Sequence, residues 1–233
     1  MFQKIACTII LILSVAFASF TTEASDAIDA FIEEVRTPSY DCPSQSLFPQ
    51  LEKTLLGESL STQQRFALTV AKGQFLICRG KYEEAEKMLL KAIMQSNIDE
   101  TSYAFASAIY QIGFSYDARE NPARCKYYKQ AQDLSSPERH SDIFTSASLG
   151  LISYCSDSSS PEVRLGKMFG VLKRYSNDGS PGELAHIHNS IGLLYGSLEQ
   201  HALAAEQYLK AHEMGLQVYE GSNRVSIIIS AIV

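Results

Sequence analysis

Tryptophan is absent from the 233-residue sequence, and glycine (13) and proline (7) are sparse. That scarcity excludes collagen-like and low-complexity chains. Basic residues are in deficit, 20 Lys and Arg against 26 Asp and Glu for a net charge of −6. A chain with that balance has no general pull toward phosphate backbones or anionic lipid, so no nucleic-acid partner is expected. No C-x-x-C pair occurs, which disfavours a zinc ribbon or a thioredoxin-type redox site. The phosphate-loop, dinucleotide, H-E-x-x-H and G-x-S-x-G signatures are all missing. Of the five histidines, His186 and His188 are two apart on a predicted helix, so they point about 200° apart and cannot share a metal from one face. No catalytic residue, metal site or cofactor is expected, and the chain reads as a binding module rather than an enzyme. What remains is ordinary globular chemistry: 45% hydrophobic, 20% charged, with 12 Tyr and 11 Phe supplying aromatic volume.

One long apolar run exists, Ile5 to Phe17, and it is short for a membrane span. Lys4 precedes it and small residues follow, so residues 1–24 read as a signal peptide cut after Ala18 or Ala24. Cys7 lies before the run, which argues against a lipoprotein. The mature chain is expected to be exported, in a bacterium to the periplasm. Cys42, Cys78, Cys125 and Cys155 remain; an even number in an exported chain points to disulfides, with three connectivities open.

Helical signals dominate the rest. Ile28, Phe31, Ile32 and Val35 fall on one helical face, and Pro38 ends that helix. Leu47, Leu51 and Leu55 mark a second helix, stopping near Gly57. Ser61 with Gln64 forms a capping box. Ser160-Pro161-Glu162 and Ser180-Pro181-Gly182-Glu183 are further helix starts, with a cap residue, proline in the first turn and an acid close behind. No alternating run persists long enough for a strand. The chain reads as ten or eleven helices of roughly 10–18 residues.

The segments AKGQFLICRGKYEEAEKMLLKAI and SIGLLYGSLEQHALAAEQYLKAH repeat one spacing. Gly73 corresponds to Gly192, Ala85 to Ala204, Leu89 to Tyr208 and Ala92 to Ala211. Small residues let two helices of a hairpin cross closely, and the large one fills the space toward the next unit. Weaker copies carry Gly113 and Gly150, and a fifth begins at RVSIIISAIV with Ser230 in the glycine position.

Gly73, the turn Arg79-Gly80-Lys81-Tyr82, then Ala85, Leu89 and Ala92 resemble the tetratricopeptide repeat (TPR). The resemblance spans about residues 61–233. It departs from the family in its glycine-to-glycine steps of 40, 37, 42 and 38 residues, longer than the ~34 of the family. It implies an all-α solenoid of antiparallel helix pairs, a TPR-like right-handed superhelix. Residues 25–60 form an N-terminal capping helix pair, and residues 61–233 hold four helix pairs plus the first helix of a fifth. In this frame Cys78 and Cys155 each follow their glycine by five residues, and the pairs Cys42–Cys78 and Cys125–Cys155 would tie each unit to its predecessor.

The resemblance also implies a concave groove lined by first helices. Projected from each glycine, its candidates are Gln74, Ile77, Tyr110, Phe114, Asp117, Tyr154, His186 and Asn189, with Tyr110 and Tyr154 equally able to pack between helices. Aromatic rings and amides suit a protein or peptide ligand; without Lys or Arg there, the carboxylate-clamping subtype is not expected. Arg164, Lys167, Lys173 and Arg174 make a local basic patch, and Ser156–Ser160 a connector. The nearest functional resemblance is to the periplasmic TPR input region of bacterial diguanylate cyclases and sensor proteins. A free-standing periplasmic scaffold or adaptor for envelope assembly is the alternative. Ile227, Ile228, Ile229, Ile232 and Val233 form an apolar end, expected to meet a second copy or a downstream domain, with a membrane contact only if the chain continues past Val233.

Overall fold

The computed structural model describes residues 25–219 apart from Glu58, Ser96, Ser156, Asp157, Ser158 and Asp178. The expected signal peptide, most of the serine run and the start of the fifth repeat therefore lie outside the described residues. Among these, all regular structure is helical. Helix α1 spans 25–35. A single 3₁₀ turn, Gln45–Leu47, leads into α2 (Phe48–Leu55), followed by α3 (Thr62–Cys78), α4 (Tyr82–Ile93), α5 (Tyr103–Asp117) and α6 (Arg124–Asp133). Then come α7 (Ser141–Tyr154), α8 (Pro161–Tyr175), α9 (Pro181–Ser197) and α10 (His201–Tyr219).

Local chemistry sets the boundaries. Ser61 and Gln64 satisfy each other's backbone N–H groups at the start of α3, and Ser180 and Glu183 do the same for α9. Ser160 caps α8 ahead of Pro161. The turn after α3 closes through Gly80, whose φ is 71°, with Lys81 N–H donating to the Leu76 carbonyl. The same left-handed turn recurs after α5 and α9 with Glu120 (φ 55°) and Glu199 (φ 59°) in the glycine position. A side chain pays a steric penalty there, so Glu199→Gly should raise stability by about 1 kcal/mol. Urea unfolding of the variant checks it; an unchanged or lowered midpoint contradicts it.

Consecutive helices pack as antiparallel hairpins in two rows. The first helices α3, α5, α7 and α9 lie side by side, each touching the next. The second helices α4, α6 and α8 each pack between their own first helix and the following one. The repeated small residues sit at these crossings: Ala85, Ala131 and Ala211 are fully enclosed. A Cβ on Gly73 would lie 3.0 Å from Leu89, and one on Gly192 would lie 2.6 Å from the Tyr208 ring. Tyr128 fills the corresponding place between α5 and α7, so close that a Cβ on Gly150 would lie 2.6 Å from its ring.

Two disulfides close between neighbouring units. Cys42 joins Cys78 at the end of α3, and Cys125 at the start of α6 joins Cys155 just past α7. The N-terminal segment does more than cover one end of the stack. Phe31 and Val35 of α1 pack with Leu51 of α2 on Leu68 and Phe75 of α3. The chain between α1 and the 3₁₀ turn then leaves α3, reaches α7 and α9, and returns to Cys78.

Candidate functional site

The periodicity of the first helices fixes what they turn inward. Gln74 and Ile77 on α3, Tyr110, Phe114 and Asp117 on α5, Tyr154 ending α7, and His186 and Asn189 on α9 all line one cavity of about 840 Å³. The structure thus brings the eight projected positions together. Tyr110 does two things: it is 5% exposed, packed against Tyr128 (5.8 Å between ring centroids) and Phe114 (6.3 Å), and gives only an edge to the cavity. Tyr154 is half open, with the Arg124 guanidinium 4.9 Å over its ring.

The carboxylate of Asp117 accepts from Tyr128 Oη at 2.9 Å and from Arg124 Nη1 at 3.0 Å. Burial nevertheless pushes its pKa up, and those two donors only partly offset it. At the opposite end His186 stacks on Tyr40, ring centroids 5.7 Å apart. Enclosure holds this imidazole neutral, its pKa lowered to about 4. The unfolded chain binds a proton near pH 6.5 that the folded chain refuses until about pH 4. His186 therefore lends stability above pH 6.5 that is lost as pH falls, at up to about 1.4 kcal/mol per pH unit. His186→Phe should flatten the wild-type decline in denaturant midpoint between pH 6.5 and 4; parallel curves would rule this out. His188, on the far side of the same helix, is buried with Nδ1 2.7 Å from Gln207 Oε1.

Sequence spacing did not reach several wall residues. Tyr82, Tyr128 and Arg164 enter from second helices, and Ser39, Tyr40, Asp41 and Cys42 from the segment after α1. Arg164 donates through Nη1 to the Ser153 carbonyl at 2.9 Å, which removes it from the basic patch. Lys167 and Arg174 line a separate hollow between α7 and α8, so the four charges do not act as one surface. Gln111, Asn189 and Arg164 border the cavity, while their Oε1, Oδ1 and Nε atoms are shielded from it and have no hydrogen-bond partner among the described residues. The cavity can seat a compact ligand with a face to lie against its tyrosines. Among the described residues no group of three His, Cys, Asp or Glu side chains could hold a metal, and no helix is long and apolar enough to cross a membrane.

Helix pairs stacked in two rows around an inner-row cavity define a TPR-like module. The crystal structure of BtubC (BKLC) from P. vanneervenii is similar to this chain with a TM-score of 0.51 at 15% identity, over 79% of this chain and 77% of that one. That likeness is one of fold. No protein-family model and no curated protein matches the sequence.

Proposed function

We propose that the chain is an exported TPR-like module that binds a short peptide or protein segment in its inner cavity, has no catalytic activity of its own, and serves as the periplasmic sensory region of a signalling protein. The observation that carries this reading is the cavity itself. It is walled by all four first helices and lined by tyrosines together with the side chains of Gln74, Asp117 and Asn189. A scaffold would offer its concave face openly to a folded partner. Here Ser39 to Cys42 lie over that face, and a compact ligand that reports on the surroundings fits better. Two disulfides in a chain with an apolar leader agree with export into an oxidising compartment.

Equilibrium dialysis of the oxidised chain against a defined pool of two- to five-residue peptides, read by mass spectrometry, tests the reading. A subset should concentrate with the protein, and Tyr154→Ala with Asn189→Ala should weaken its retention at least about tenfold, the equivalent of one lost hydrogen bond to a well-buried group. No enrichment of any peptide overturns the proposal.

A further inference from the structure

The segment over the concave face makes contacts of the kind a peptide groove makes with its ligand. Pro38 and Pro43 bracket Ser39-Tyr40-Asp41-Cys42. The Ser39 N–H donates to Asp142 Oδ2 (2.9 Å), and the Asp41 carbonyl accepts from Gln74 Nε2 (2.7 Å). Tyr103 Oη donates to the same Asp142 Oδ2 (2.8 Å), with the Thr37 carbonyl also 3.2 Å away. Those contacts hold main chain. Side chains are read as well: Ser39 Oγ donates to the Asp142 carbonyl, with Ser146 Oγ also 2.9 Å away. The Tyr40 ring lies on His186 with its hydroxyl 3.3 Å from Ser180 Oγ. Gly182 is what makes room, since a Cβ there would sit 2.9 Å from the Tyr40 ring.

We infer that this face is a recognition surface for a Pro-Ser-Tyr-Asp-type peptide folded into a turn, as residues 38–41 are by the Asp41 N–H donating to the Pro38 carbonyl, and that residues 38–42 are the chain's own copy of that ligand, held in place as an autoinhibitory plug. Both ends of the segment are fixed on α3, by Val35 in the core and by Cys42–Cys78. Its tip is held on α7 and α9 by hydrogen bonds and one stacked ring alone, so the tip leaves without unfolding the array. A partner carrying the same sequence chemistry on an exposed segment displaces it by presenting the same groups to Asp142, Gln74 and His186. This rests on the inner cavity being a ligand site.

The probe is the peptide acetyl-Pro-Ser-Tyr-Asp-Ser-amide, with serine in place of the cysteine. Oxidised wild-type chain and the unlatched double variant Ser39→Ala, Tyr40→Ala are titrated with it by calorimetry or fluorescence anisotropy. The unlatched chain should bind at least about tenfold tighter than wild type, the cost of first displacing the resident segment, and adding Asp142→Ala should abolish the gain. Adding Gly182→Leu to the unlatched chain, which fills the seat of the tyrosine ring, should likewise abolish the gain. Equal affinity in wild type and the unlatched chain, or no binding to either, overturns the inference. If the mixed peptide pool still concentrates with wild type in that event, the autoinhibitory plug falls alone; if neither binds, the ligand reading falls with it.

Discussion

Tyr128→Ala is expected to lower stability by about 3–5 kcal/mol, the range for removing a large aromatic side chain from a packed core. Tyr128 is 2% exposed and stands where three helices meet. Its ring presses on Gly113 of α5 and Gly150 of α7, and its hydroxyl donates to the half-buried Asp117. Alanine leaves a cavity between two units and strips the carboxylate of one of its two donors. Tyr128→Phe separates the parts: it keeps the ring and loses only the hydroxyl, which should cost about 1.5–3 kcal/mol because the acceptor is charged. The converse change, Gly150→Val, drives a side chain into the same ring and should cost about 1–3 kcal/mol by overpacking. Denaturant unfolding of the three variants checks the series. An alanine variant no less stable than the phenylalanine one would mean that Tyr128 does not join the units.

Removing either disulfide is the second large effect. The bridges close loops of 36 and 30 residues, for which loop-closure entropy gives about 3.5–4 kcal/mol apiece. In a stack whose units touch only their neighbours, losing one bridge frees one junction and leaves the others. Cys125→Ser with Cys155→Ser should therefore loosen the contact of α6 with α7 and spare α9 with α10. Cys42→Ser with Cys78→Ser should release the segment 36–44 first. Unfolding midpoints with and without reductant, followed by hydrogen exchange to locate the loss, check both statements. Midpoints that ignore reductant would remove the bridges from the account of stability.

What could be read in the sequence follows from which interactions are local. The capping boxes at Ser61 and Ser180 and the proline start at Ser160 involve residues within one turn, and spacing alone reveals them. The correspondence of Gly73 with Leu89 and of Gly192 with Tyr208 spans one hairpin, short enough for a repeated interval to carry it. The inner-face positions follow from the same interval, because a helix turns its residues at a constant angle. Tyr40 does not. Its seat is made by Ser180, Gly182 and His186, about 140 positions away, and no local pattern encodes that meeting. Pro38 signals the end of α1, but not the turn that follows it, closed by the Asp41 N–H on the Pro38 carbonyl, nor where the chain goes. Arg164 likewise reads as part of a basic cluster until the structure places its Nη1 on the Ser153 carbonyl, eleven positions back. The start of α7 carries no cap signal because His140, with φ 64° and no capping side-chain bond, takes that place.

The central claim is that the concave face is closed by the chain's own residues 38–42 above a ligand cavity. Amide hydrogen exchange at Ser39 and Asp41 in the oxidised chain tests it most directly. The Ser39 N–H is held by Asp142 and the Asp41 N–H by the Pro38 carbonyl. Both should be protected at least about a hundredfold over the free peptide, with Asp142→Ala abolishing protection at Ser39 while the amides of α5 keep theirs. Exchange of both amides at free-peptide rates in the wild-type chain would mean that the face stands open, and would contradict the account.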